Sequence, residues 1–143
     1  DLNEASLETA LVAMRGTLDD KSELVGINPD TLLIPPALEK EARILLDSSG
    51  RVGTANNDIN PYQGRLKIIV WDRIAATAGG SDTVWFLLDS SEHKLIWFNR
   101  LDTGLQGPEY DFDNDVAKWK DGFRCKAGWS DFRGTYGSKG DNS

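Results

Sequence analysis

Apolar positions near the start of the chain recur at helical spacing. In "NEASLETALVAMRG" Leu7, Leu11 and Met14 fall on one helical face, Asn3 or Ser6 can cap the start, and Gly16 can end it. The pattern then breaks into a polar connection, "TLDDKSELVGINPD", with turn chemistry at Asn28-Pro29-Asp30. The run "TLLI" that follows is continuous in apolar residues, too short for a helix and bounded by Pro29 and Pro35, which predicts a strand covered on both faces. Pro36 has the φ that a first helical position needs, and Glu39 and Glu41 stand where the helix dipole favours anions. A helix is therefore predicted from about Pro36 to Leu46, with Leu38, Ala42 and Leu45 as its buried stripe and "DSSG" as its end. The small Ala42 would let that helix approach a sheet closely.

Further along, the period changes. Residues 48 to 64 are rich in Gly, Asn and Ser without a repeat, the mark of a long surface loop. Three runs heavy in β-branched and aromatic residues follow, "RLKIIVWDRI", "TVWFLLD" and "KLIWFNR", and predict an antiparallel meander. A second loop is expected over residues 101 to 115, "LDTGLQGPEYDFDND". The segment "VAKWKDGFRCKAGWSDFRGTYGS" predicts two or three more strands, with Gly122 and Gly128 at turns or bulges, and "KGDNS" a frayed tail.

With 143 residues the chain is one domain or two small lobes, long enough for a core without staples. A net charge of -7 with scattered basic residues argues against specific nucleic-acid recognition. No apolar run of about 20 residues and no signal peptide is visible, so neither a membrane span nor an export signal is expected. The single cysteine, Cys125, excludes an internal disulfide. The chain begins at Asp1 without an initiator Met, as a processed product or a piece of something longer would.

Candidate chemistry is sparse. His93 is the only histidine, so any catalytic triad must pass through it, and it sits in the turn-like "SSEHK" where a general base would be wet. One His and one Cys do not make a zinc site. Asp111, Asp113 and Asp115 start with the spacing of a calcium loop, but Val116 stands where the turn needs Gly, and Gly122 stands where a bidentate Glu should close the shell. "ATAGGSD" and "GTYGSKG" lack phosphate-loop spacing. Trp71, Trp85 and Trp97 lie in strand-like runs and are expected in a core or an interface ahead of a ligand-stacking platform. Acids are too plentiful for any pair to stand out as catalytic. With no catalytic residue, cofactor or metal ligand assigned, a binding or assembly role is favoured over an enzyme.

The order of segments carries a resemblance. The run "ALVAMRGTLDDKSELVGINPDTLLIPPALEKEARILLDSS", then "RLKIIVWDRI", "TVWFLLDSSEHKLIWFNR" and "FRCKAGWSDFRGTYGS", resembles the C-terminal part of Mu-like prophage major head subunits, which belong to the major capsid proteins of tailed bacteriophages. The resemblance spans about Ala10 to Ser138. It implies an α+β chain with the tailed-phage major capsid fold, an axial domain plus part of the peripheral domain, and a mixed or antiparallel sheet flanked by helices. Residues 1–24 would be the end of a spine helix and its link, 25–115 an axial-type domain, and 116–143 returning peripheral strands with the tail. What precedes the spine helix in that family is missing here, so the chain resembles a C-terminal fragment.

The role implied is that of a structural subunit assembling into pentamers and hexamers that enclose DNA. Its partners would be copies of itself, with scaffold, portal or decoration proteins beside them. Its place would be the virion, after synthesis in the host cytoplasm. Subunit contacts are expected in the two long loops, at Arg51, Asp58, Arg100, Asp102, Glu109 and Asp111. The alternative is a small-ligand or carbohydrate-binding module using exposed tryptophans.

Overall fold

The computed structural model describes residues 1–51, 58–111 and 113–139. The chain forms two compact units, Asp1–His93 together with Phe132–Ser143, and Lys94–Asp131.

The first unit opens with helix α1, Glu4–Arg15, whose start is fixed by a capping box. The Asn3 side chain accepts from the Ser6 backbone N–H at 2.8 Å, and Ser6 Oγ accepts from the Asn3 N–H at 3.0 Å. The helix buries Leu7, Leu11 and Met14, as the spacing predicts, and also Ala10. Strand β1, Thr31–Ile34, follows. Pro35 is extended, a 3₁₀ turn covers Pro36–Leu38, and helix α2 runs Glu39–Asp47. The proline corner and the stripe of Leu38, Ala42 and Leu45 stand as expected, with Leu46 also fully buried.

At the far end of α2 the buried Asn60 donates to the carbonyls of Leu45 at 2.7 Å and Ser48 at 2.9 Å. The Gly64 N–H reaches the Leu46 carbonyl at 2.9 Å. These bonds satisfy C-terminal carbonyls that the helix itself leaves open.

Strand β2, Lys67–Val70, lies parallel to β1 from Thr31↔Lys67 to Ile34↔Val70, and α2 is the crossover that a parallel pair needs. Strand β3, Trp85–Leu88, pairs antiparallel with the other side of β1. After the Lys94–Asp131 excursion the chain returns as a strand at Thr135–Ser138 antiparallel to β3, which gives a sheet in the spatial order 67–70, 31–34, 85–88, 135–138. The expected meander is thereby corrected. The runs at 65–74, 83–89 and 94–100 do not pair with one another, because the doubly covered "TLLI" strand takes the middle of the sheet and separates the first two. The core joins Leu7, Leu11 and Met14 of α1 to Leu32, Ile34, Trp85 and Leu87 of the sheet and to Ala42 and Leu46 of α2.

The second unit consists of two antiparallel ribbons. Strand β4, Leu95–Leu101, belongs to one, and β5, Gln106–Asp111, and β6, Val116–Lys120, form the other. Strand β7, Arg124–Trp129, pairs with β4, and the strand at 135–138 is β8. The expected loop over 101–115 is thus half strand, since β5 gains its order from pairing with β6 despite the weak strand composition of "QGPEYD". Gly107 sits where an added Cβ would come within 2.8 Å of the Lys118 carbonyl oxygen, so β6 passes close against it. Among the described residues of this unit none is buried, and all seven of β4 are exposed.

Candidate functional site

The six residues expected at contacts fall into both units. Arg51 and Asp58 are together in the first: the Arg51 N–H donates to the Asp58 carbonyl at 2.8 Å, next to a bridge between Gly50 and Ile59. The stretch 52–57 between them lies outside the described residues. The Arg51 guanidinium meets the Glu4 carboxylate at 3.0 Å, which holds its pKa above the ordinary arginine value. Both partners stay partly in water, so the pair fixes the loop against α1 more than it stabilises the fold.

The other four lie in the second unit. Arg100 is exposed on β4 at the bulge between Asn99 and Leu101, and the Asp102 carboxylate accepts from the Asn99 side-chain amide. Glu109 stands opposite Lys118 across the β5–β6 ribbon, an opposite-charge register, and Asp111 stands opposite Val116.

More informative than these charges are the faces of the β4–β7 ribbon. The register sets Leu95 against Trp129 and Trp97 against Ala127, so one face is neutral and apolar; Leu95, Trp97 and Trp129 are 51%, 67% and 75% exposed. The opposite face sets Phe98 against Lys126 and Ile96 against Gly128. Here Phe98, Arg100, Phe123, Arg124, Cys125 and Lys126 line a shallow depression of ≈ 580 Å³. The strands of this ribbon and Lys94 before them contain Lys94, Arg100, Arg124 and Lys126 but no carboxylate.

A pair of strands with a wet surface on both sides has little to hold it, and exposed aromatics in contiguous rows mark a surface made to be covered. Of the tryptophans expected in a core or an interface, only Trp85 is in the core; Trp71 and Trp97 are exposed. Composition does not distinguish them, since all lie in β-rich runs. The signal that does is the sheet order, which leaves β4 outside the packed layer.

The first unit offers an apolar groove between the start of α1 and the outer side of α2. It measures ≈ 410 Å³ and is lined by Leu2, Asn3, Glu4, Glu41, Ile44 and Leu45. No local sequence motif announces it, because residues 2–4 and 41–45, far apart in the chain, line it together.

The turn after β3 is held by two acids. Asp89 is buried, and its carboxylate accepts from the backbone N–H groups of Asn28 at 2.7 Å, Ser91 at 2.9 Å and Glu92 at 3.3 Å, and from the Ser91 hydroxyl at 2.6 Å. Burial pushes its pKa up, but these bonds outweigh that and leave it below 3.8. Asp30 is held low by the Ser90 hydroxyl, with help from the Thr31 hydroxyl and the Ser90 N–H against some burial.

His93 follows in this turn with its N–H on the Asp89 carbonyl at 3.0 Å, a structural position. Among the described residues no group of three or more His, Cys, Asp or Glu is placed to hold a metal ion, and no helix is long and apolar enough to cross a membrane. What the structure presents is a packed α+β unit with buttressed turns, and a ribbon unit whose aromatic rows face outward.

No curated protein and no solved structure matches the chain at a significant level. The family model described as phage capsid protein matches residues 1–138, nearly the whole length, and the chain therefore belongs to the phage capsid protein family, whose role is structural.

Proposed function

We propose that this chain is the C-terminal part of the major head subunit of a tailed bacteriophage or Mu-like prophage, and that it assembles with copies of itself into five- and six-membered capsomers enclosing DNA. Family membership over residues 1–138 carries the reading. The ribbon unit, in which no described residue is buried, supports it, because such a unit suits a protein whose final packing is completed by neighbours. In this reading the fold is the tailed-phage major capsid fold, with axial and peripheral parts in one chain. Arg51, Asp58, Arg100, Asp102, Glu109 and Asp111 take part in contacts near the capsomer axes. Synthesis takes place in the host cytoplasm, and scaffold, portal or decoration proteins join at the shell. Electron cryomicroscopy of heads from the phage that encodes the chain tests this. The reading requires capsomers with five- and sixfold symmetry whose density traces residues 1–139; heads built from another protein contradict it.

A further inference from the structure

We infer that the basic face of the β4–β7 ribbon of one copy docks in the α1/α2 groove of a second copy. This rests on the reading of the chain as a shell subunit and names the surfaces that meet. Charge directs the match. The Lys94–Asp131 unit carries six basic and seven acidic residues, while the rest of the chain carries ten and sixteen, so the acidic excess lies almost wholly outside the ribbons. Within the ribbons the cations gather on β4–β7, where Arg124 and Lys126 flank the exposed ring of Phe98. The groove is the complement: its lining joins the apolar Leu2, Ile44 and Leu45 to the acidic Glu4 and Glu41, and its volume of ≈ 410 Å³ admits an aromatic side chain.

Phe98 enters the groove and Lys126, its cross-strand neighbour, reaches the rim at Glu41. The contact is heterologous, ribbon to groove, which is the kind that closes into rings when the rotation permits. It also covers one face of a ribbon that has no core of its own. Glu4 is already engaged by Arg51, so Glu41 is the rim charge through which the contact is best interrogated.

Charge reversal tests the contact. Glu41 and Lys126 are both exposed, so Glu41→Lys and Lys126→Glu should fold as the parent does, as judged by circular dichroism and melting. Sedimentation velocity over a concentration series should show each single variant associating on the order of tenfold or more weakly than the wild type. An equimolar mixture should recover association, because each ribbon then meets a groove of opposite charge on the other variant. Recovery on mixing also establishes that the contact runs between copies. Single variants that associate like the wild type, a mixture that stays dissociated, or a wild-type chain that does not associate overturns the contact. The shell reading is judged separately, by whether the chain is found in virions.

Discussion

The Asp89 carboxylate accepts the backbone N–H of Asn28 at 2.7 Å and so ties the turn after β3 to the loop that leads into β1, 61 residues away in sequence. The same carboxylate holds the Ser91 and Glu92 N–H groups, so a single buried acid organises the end of the central strand pair where β3 finishes beside the start of β1. Asp89→Ala leaves these donors without their acceptor and should cost about 2–3 kcal/mol in unfolding free energy. Denaturant melts at neutral pH check this, and an unchanged midpoint would show that water replaces the carboxylate without loss.

Acid should find the same place. Asp89 and Asp30 both titrate below 3.8 in the folded chain, so as pH falls the unfolded state takes up protons first. Their contribution is fully present above about pH 5 and is lost as pH falls through the folded values. Melting temperatures should decline toward about pH 3, and the decline should be shallower in a double variant carrying Asp30→Asn and Asp89→Asn. An equally steep decline in that variant would place the acid sensitivity elsewhere.

Ala42 is fully buried where α2 presses on the core. Ala42→Trp has no space to enter and should lower stability by about 1–3 kcal/mol or more through overpacking. A melting temperature equal to the wild type would mean that this face of α2 does not meet the sheet.

The tryptophans should separate cleanly. Trp85→Ala removes a ring that is 1% exposed and packs 6.0 Å from Tyr136, centroid to centroid, and should cost about 3–5 kcal/mol. Trp129→Ala removes one that is 75% exposed and should change the stability of the dilute chain by no more than about 0.5 kcal/mol. Thermal unfolding of the two variants side by side gives the comparison.

Gly134 has φ of +80°, and an added Cβ would lie 2.8 Å from the His93 nitrogen and 2.9 Å from the Glu92 carbonyl carbon. Gly134→Ala therefore meets both backbone strain and a backbone clash, and should destabilise by at least about 2 kcal/mol. Gly64, also at positive φ but with open space around its Cβ position, is the control and should lose less.

The elements that the sequence made legible are those specified within a few residues. Leu7, Leu11 and Met14 repeat at the helical period, and Pro35 and Pro36 mark where β1 stops and the next turn starts, so these parts stand where the pattern puts them. Strand partners are set by contacts far apart in the chain. Nothing local in "RLKIIVWDRI" says that Lys67–Val70 lies parallel to β1, or that "KLIWFNR" leaves the main sheet to pair with Arg124–Trp129. β5 was hidden for a related reason: Gly107, Pro108 and two acids suit a loop, and only the facing β6 gives them a ladder. As for the candidate site, loop charges such as Arg51 and Glu109 are visible to composition, whereas the rows of Phe98 and Trp97 on opposite faces of one ribbon exist only once the register is known.

The central claim is that the chain is a building block of the phage head. Quantitative mass spectrometry of purified virions tests it most directly. The account predicts that peptides from residues 1–143 are among the most abundant in the particle and far exceed those of the portal. Virions that lack these peptides, or hold them only at the level of a minor component, would contradict it.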